Sequence, residues 1–229
     1  MVFNETPDSQ PLTHSPLPLE GRMKILQIKS SILAGNGQSS RLSDEFVALL
    51  LEQHPGAELV VRDLAADPVP HLDGARLGAF FAKPEERNAE QRSVVAYSDA
   101  LIAQLRRADV LVLGVPMYNF GVPSQLKAWF DHLARAGETF KYTEKGPIGL
   151  VTGKKAYVFV ARGGLRGEHD HSQTRFVREF LEFIGITDIA FVYAEGLAIS
   201  PESRNNSLAA AQVQARRLAK QAQPVRLAA

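Results

Sequence analysis

The sequence contains no cysteine, and this absence removes several kinds of chemistry at once. Disulfide bonds, thiolate nucleophiles and cysteine-ligated metal clusters are excluded. A strong charge of either sign is also missing, because 26 basic residues balance 25 acidic ones and the formal net charge is +1. Nucleic acids and membrane surfaces attract proteins with concentrated charge, so we expect neither as a partner.

Long apolar runs are missing as well. No stretch approaches the roughly 20 apolar residues that a membrane helix needs. Residues 1–22 hold four prolines and lack the apolar centre of a signal peptide. We therefore expect a disordered N-terminal tail over residues 1–22, one domain over residues 23–229 and a cytoplasmic location.

From residue 24 onward the sequence alternates between strand and helix patterns. Short apolar runs predict five strands, at residues 25–28, 59–61, 110–115, 155–160 and 189–193. Helical periodicity predicts helices at residues 40–54, 89–107, 123–135, 172–183 and 201–220. Residues 64–87 and 138–152 fit neither pattern and are predicted insertions, the second of them a turn or short hairpin. This alternation predicts parallel βαβ units in a three-layer α/β sandwich.

Three loops that follow predicted strands have unusual compositions. Ligands of open parallel sheets bind beyond the carboxyl ends of the strands, where these loops lie. The first loop, residues 31–39, offers hydroxyls, backbone N–H groups left accessible by glycine, and the start of a helix. These features suit a phosphate group. An ordinary serine-capped loop explains this composition equally well.

The other two loops differ from the first in chemistry. Residues 117–120, Met-Tyr-Asn-Phe, surround one amide with planar and apolar groups, the mixture that a flavin ring needs. A hydrophobic cover for the sheet edge is the simpler interpretation of this loop alone. Residues 161–164, Ala-Arg-Gly-Gly, allow close backbone approach to a ligand, although a tight turn uses glycine too. Together, the three loops predict one shared ligand.

Several other kinds of site are disfavoured. The first loop lacks the lysine of a phosphate-binding P-loop and the third glycine of a dinucleotide fingerprint. No Gly-x-Ser-x-Gly elbow of a serine hydrolase is present. The cluster Glu168-His169-Asp170-His171 consists of consecutive residues, whose side chains diverge, so we predict a solvated loop there and no metal site.

The chain resembles the FMN-dependent NADH-azoreductase family of flavodoxin-like quinone reductases. The matching segments run in order from residue 23 to about residue 196. They are KSSILAG (29–35), VRDLA (61–65), PMYNF (116–120), ARAG (134–137), YTE (142–144), GLVTGKK (149–155), RGG (162–164) and FIGI (183–186). The resemblance implies a flavodoxin-like sandwich whose parallel strands are ordered 2-1-3-4-5.

The resemblance also implies roles for particular residues. Those matching the FMN phosphate site are Ser31, Gly37, Gln38 and Ser39, and those matching the wall of the isoalloxazine ring are Met117, Tyr118, Asn119 and Phe120. The segment matching the pyrimidine edge of the ring is Ala161, Arg162, Gly163 and Gly164. Tyr142 and Phe183 match aromatic positions beside the acceptor site, across a dimer interface. The family commonly has serine at the position of Gly37 and often at that of Ala161.

The activity that this resemblance implies is electron transfer through FMN. NADH, with NADPH as an alternative, reduces the flavin, and a quinone or azo compound then enters the same slot, which gives ping-pong kinetics. The family is homodimeric, and we predict no catalytic acid or base. A flavodoxin-type electron carrier, a phosphate-ester hydrolase and a quinone reductase without azo activity are the alternatives.

Overall fold

A five-stranded parallel sheet forms the centre of the protein, which we describe from a computed structural model over residues 22–166 and 172–222. Its strands are β1 (Lys24–Lys29), β2 (Glu58–Asp63), β3 (Val110–Pro116), β6 (Lys155–Ala161) and β7 (Asp188–Ala194). Two further strands, β4 (Phe140–Thr143) and β5 (Gly146–Gly149), pair with each other as an antiparallel hairpin. Residues 1–21 of the expected tail lie outside the described part.

The strands of the main sheet are ordered β2-β1-β3-β6-β7, and every neighbouring pair is parallel. The five-stranded parallel sheet is therefore confirmed. The predicted numbering 2-1-3-4-5 is corrected to 2-1-3-6-7, because the two hairpin strands come between β3 and β6 in the chain but stay outside the sheet.

Helices cover both faces of the sheet. They are α1 (Gln38–Gln53), α2 (Gly74–Phe81), α3 (Ala89–Arg107), α4 (Ser124–Leu133), α5 (Ser172–Ile184) and α6 (Pro201–Gln221). Buried side chains of α1 and α6 share one core with the sheet, and those of α3, α4 and α5 share the other. Strand β3, between the two cores, is buried along its whole length, as its uninterrupted apolar run predicts. Within the described ranges, no helix has the length and apolarity to cross a membrane.

Residues 64–87 contain more structure than the sequence pattern predicts. Helix α2 lies in this segment and is capped by Asp73, whose Oδ1 accepts a hydrogen bond of 2.8 Å from the amide of Arg76. Glycines at both Gly74 and Gly78 weaken the helical signal, because glycine disfavours helix interiors. The Asp73 cap was the signal that could have identified this helix.

The hairpin of β4 and β5 lies beside the C-terminal end of α5. The amide of Val151 donates to the carbonyl oxygen of Ile184 over 2.8 Å. The fit is close, because a Cβ atom on Gly149 would lie 2.1 Å from the amide nitrogen of Gly185. The segment predicted as a turn or short hairpin is therefore a hairpin, held near the end of the sheet where β6 begins.

Candidate functional site

The loop after β1 brings a buried serine next to the loop after β3. Ser31 is 1% exposed, and its Oγ lies 3.0 Å from the hydroxyl of Tyr118. The amide of Leu33 donates to the same Oγ over 3.2 Å. Beside it, Ser30 Oγ donates to the carbonyl oxygen of Gly114 over 2.7 Å. These bonds join the first two of the three predicted ligand loops.

Helix α1 begins at this loop with an uncapped N-terminus. Its N-cap residue is Gly37, which has no side chain to bond the free amides of the first turn, and the first turn holds no acidic residue. Ser39 and Ser40 are both fully buried, and no hydrogen-bond partner of either hydroxyl is found in the described part of the chain. Free amides, free hydroxyls and the positive end of the helix dipole together suit an anion.

The first turn of α1 is held firmly against the sheet. Gly114 on β3 leaves room for it, since a Cβ atom there would come within 3.1 Å of the carbonyl oxygen of Ser39. Gln27 on β1 donates to Ser43 Oγ over 3.1 Å and to Asp44 Oδ1 over 2.7 Å. A closely packed, hydrogen-bonded helix start fixes the position of the free hydroxyls.

The loop after β3 is a tight turn with unusual backbone angles. Tyr118 and Gly121 exchange two backbone hydrogen bonds of 3.1 and 3.0 Å. The two residues between them, Asn119 and Phe120, have φ angles of 47° and 70°. A bulky residue such as phenylalanine rarely adopts a positive φ, and strain of this kind is concentrated at functional sites.

The side chains of this turn differ in exposure. Met117 and Tyr118 are half-buried, whereas Asn119 is exposed and Phe120 is 65% exposed. The Phe120 ring lies under a cation, with the Cζ atom of Arg166 4.9 Å from its centroid. Its carbonyl oxygen accepts a 2.6 Å hydrogen bond from Ser172 Oγ, at the start of α5. The turn thus contacts Arg166, in the segment after β6, and Ser172, the first residue of α5.

The loop after β6 is fixed on both sides. The carbonyl oxygen of Ala161 accepts a 2.8 Å hydrogen bond from the amide of Met117. On the other side, the carbonyl oxygens of residues 162–164 accept bonds of 3.0–3.2 Å from the amides of residues 196–198. The exposed Gly163 and Gly164 therefore have a defined backbone position at the edge of the sheet.

Arg162 differs from its neighbours in this loop, because its side chain turns inward. The residue is 3% exposed, and its Nε lies 2.8 Å from Glu195 Oε1. Burial lowers the pKa of the Arg162 guanidinium, and the Glu195 carboxylate opposes this effect. The Arg162 side chain therefore does not reach the mouth of the site, and its amide and carbonyl oxygen are bonded to Ala194 and Leu197.

Tyr142 and Phe183 lie far from these loops within one chain. Both contact Phe140, with ring centroids 5.4 and 4.4 Å apart. Tyr142 is 74% exposed on the hairpin, whereas Phe183 is partly buried against the core. Helix α5 starts at the Phe120 turn and ends at the hairpin, and its 13 residues separate the two places by about 20 Å.

The structure thus brings three of the predicted groups together and leaves one apart. The loops after β1, β3 and β6 are connected by direct hydrogen bonds, and the aromatic pair lies elsewhere. Sequence reasoning missed Ser40 and Glu195. Ser40 follows Ser39 in the first helical turn, and Glu195 follows the last strand directly, so position along the chain was the available signal. The cluster at residues 168–171 lies outside the described residues.

A parallel five-stranded sheet ordered β2-β1-β3-β6-β7 between two layers of helices, with the three loops at the carboxyl ends of its strands, is the arrangement of flavodoxin-like proteins. The family model described as Flavodoxin-like fold matches residues 23–219, and the chain belongs to this family.

Relatives with known descriptions match most of the chain. An FMN-dependent NADH:quinone oxidoreductase of Burkholderia pseudomallei (strain 1710b) is 56% identical over 188 residues, which cover 82% of this chain and 95% of the relative. A protein of the same description from Cellvibrio japonicus (strain Ueda107) is 55% identical over 174 residues, which cover 76% of this chain and 87% of that protein.

Solved structures agree in fold. An azoreductase from Bacillus anthracis str. Sterne superposes with a TM-score of 0.81 at 29% identity, covering 87% of this chain and all of that one. An FMN-dependent NADH-azoreductase from Bacillus anthracis str. Ames Ancestor, solved in complex with FMN, gives a TM-score of 0.77 at 28% identity. The match covers 86% of this chain and 99% of that one.

Proposed function

We propose that this protein is an FMN-dependent NAD(P)H oxidoreductase that reduces quinones and azo compounds. Relatives of more than 50% identity are described as FMN-dependent NADH:quinone oxidoreductases, and similar structures as azoreductases. The observation of this chain that carries the proposal is the start of α1, where two buried serine hydroxyls have no described partner.

The FMN phosphate fits this helix start. Gln38 and Ser39 would present backbone amides to it, and the hydroxyls of Ser31, Ser39 and Ser40 would donate to its oxygens. The Gly37 amide already donates to the carbonyl oxygen of Ala34 over 3.2 Å, so Gly37 would line the site through its lack of a side chain. Buried hydroxyls without partners cost stability, so a ligand that bonds them restores this energy on binding. Lysine is not required, because the helix dipole and the hydroxyls supply the positive potential.

The flavin ring would lie across the other two loops. Met117, Tyr118, Asn119 and Phe120 would form one wall, with the strained turn holding the aromatic groups in place. Ala161, Gly163 and Gly164, with the backbone of Arg162, would face the pyrimidine edge. Glycine lets the backbone approach the ring closely.

FMN, when bound, supplies the capacity to take electrons from NADH or NADPH and to give them to a second substrate. The residues of this chain would hold the ring and exclude water from one of its faces. Residues 31–39, 117–120 and 161–164 contain no carboxyl or imidazole group, so protons for an azo acceptor would come from water. Donor and acceptor would use the same open face in turn, and the kinetics would then be ping-pong.

The open face needs a second wall, and a second copy of the chain would supply it. Tyr142 and Phe183 lie about 20 Å from the Phe120 turn of their own chain, so their predicted role beside the acceptor would require a homodimer. We also propose a single domain over residues 23–229, preceded by a tail, and a cytoplasmic location. The family match, which begins at residue 23, supports this domain start.

Steady-state kinetics with purified protein and added FMN test this function. NADH oxidation is followed with a quinone and, separately, with an azo dye, each at several fixed acceptor concentrations. Parallel double-reciprocal lines with both acceptors support the proposal. Turnover of the quinone but not of the azo dye would indicate a quinone reductase without azo activity. Slow NADH oxidation with tight FMN binding would indicate an electron carrier.

A further inference from the structure

The end of β6 and the end of β7 carry an ion pair that the proposed reaction does not yet use. Arg162 follows β6 directly, Glu195 follows β7 directly, and the last residues of the two strands are paired in the sheet. The Arg162 side chain is 1% exposed and that of Glu195 is 15% exposed. Both charges are therefore largely shielded from solvent, and Arg162 directly precedes the glycine pair in the chain.

The hydrogen bonding of this pair is incomplete. Arg162 Nε lies 2.8 Å from Glu195 Oε1, but none of the three guanidinium nitrogens makes a well-aligned hydrogen bond to any described residue. The Arg162 guanidinium also stacks 5.4 Å from the centroid of the Tyr193 ring. Glu195 Oε1 meanwhile accepts a 3.1 Å bond from the amide of Arg166. A buried ion pair with unmade hydrogen bonds is a poor stabilising device.

We propose that Arg162 and Glu195 tune the midpoint potential of the flavin, with Arg162 raising it and Glu195 lowering it. Reduction adds negative charge to the ring, and a nearby cation stabilises that charge. Arg162 is bonded directly to Gly163, whose backbone position is fixed by the amide of Ala198 over 3.0 Å. Charges shielded from water act over longer distances than exposed ones. Both residues would act through their charge without touching the ring, and this inference rests on the proposed function.

The test is the potential of bound FMN, measured by anaerobic spectroscopic titration against a reference dye. The variants are Arg162→Met, Glu195→Gln and the double variant that combines them. We expect Arg162→Met to weaken binding of reduced relative to oxidised FMN about tenfold, which lowers a two-electron potential by about 30 mV. Glu195→Gln should shift the potential upward by a similar amount, and the double variant should lie near wild type.

A matched control comes from α5. Arg178 and Glu182 form an exposed ion pair with an N–O distance of 3.9 Å, and Arg178 also stacks on an aromatic ring, that of Phe191, at 4.7 Å. Arg178→Met and Glu182→Gln should leave the flavin potential unchanged. Thermal unfolding of every variant shows whether a stability loss accompanies each shift.

Opposite shifts of the flavin potential in the two single variants support the inference. If the two residues had a purely structural role, the direction of the shift would not depend on which charge is removed. Unchanged potentials, or shifts in the same direction, overturn it. If Arg162→Met fails to fold, the Glu195→Gln variant alone tests the inference: an upward shift of the flavin potential supports it, and a downward shift or no shift overturns it. Wild-type protein that binds no FMN would contradict the proposed function itself, whereas wild-type redox behaviour with unshifted variants contradicts this inference alone.

Discussion

Gly37 lies so close to Ser31 that a Cβ atom on Gly37 would fall 2.2 Å from Ser31 Oγ and 2.6 Å from Ser31 Cβ. The same Oγ lies 3.0 Å from the Tyr118 hydroxyl. A side chain at Gly37 therefore requires Ser31 to move, which should disturb the contact of its hydroxyl with Tyr118.

Replacing Gly37 with alanine should weaken FMN binding about tenfold and lower the free energy of unfolding by about 1–3 kcal/mol, the usual cost of an overpacked site. Gly35→Ala is the matched control, because a Cβ atom there meets no atom within 4 Å in the same loop. Fluorescence titration with FMN and denaturant unfolding measure the two effects. Equal FMN affinities of the two variants would contradict the account.

Ser39→Ala separates phosphate binding from stability. Removing a buried hydroxyl that has no described partner should leave the unfolding free energy unchanged or slightly higher. FMN affinity should fall about tenfold, the effect of losing one hydrogen bond to a charged group of about 1.4 kcal/mol or more. Affinity for riboflavin, which lacks the phosphate, should stay the same.

Ser43→Ala is the control for this prediction. Ser43 Oγ donates to the carbonyl oxygen of Ser40 over 2.8 Å and accepts from Gln27, so its loss should lower stability. The ratio of FMN to riboflavin affinity should remain that of the wild type. A fall in this ratio for Ser43→Ala but not for Ser39→Ala would place the phosphate elsewhere.

Gly164→Ala tests whether a ligand lies against the glycine pair. A Cβ atom on Gly164 meets no protein atom within 4 Å, so stability should change by less than about 0.5 kcal/mol. Affinity for riboflavin and FMN should both fall about tenfold, since the new methyl group would contact the ring edge. Gly163→Ala, by contrast, would meet Ala198 Cβ at 3.1 Å and should lower stability as well. Unchanged flavin affinity in Gly164→Ala would show that no ring approaches this backbone.

The sequence predicted some elements closely because their signals are local. Helix α3 begins and ends where its periodicity predicts, and Asn88 with Gln91 forms a reciprocal cap at its start. Helix α2 was missed because its glycines hide it. The inward orientation of the Arg162 side chain and the distance of about 20 Å between Tyr142 and the Phe120 turn depend on long-range packing, which no local pattern contains.

His132 gives the protein a pH dependence at the acidic side of neutrality. The residue is fully buried on α4, between the edges of the Phe80 and Tyr97 rings, and its Nε2 lies 3.0 Å from the carbonyl oxygen of Pro70. Burial lowers the pKa of its imidazole below 6.5. The unfolded chain therefore binds a proton more readily than the folded one.

The stability that neutral His132 contributes is present above pH 6.5 and is lost as the pH falls toward the lowered pKa of the folded state. Unfolding free energies are measured from pH 5 to pH 8. The free energy of unfolding should rise less steeply with pH in His132→Gln than in the wild type, and the two slopes should differ by at most about 1.4 kcal/mol per pH unit. Phe80→Leu, which removes a ring contact without a titrating group, should keep the wild-type slope. The same slope in wild type and His132→Gln would refute this assignment.

The most direct measurement of the central claim is the visible spectrum of the purified protein with FMN, recorded without oxygen before and after adding NADH. If the protein passes electrons from NADH through FMN, its flavin spectrum bleaches on adding NADH and returns when a quinone is added. A protein that retains no FMN after desalting, or whose bound FMN stays oxidised with excess NADH, would contradict it.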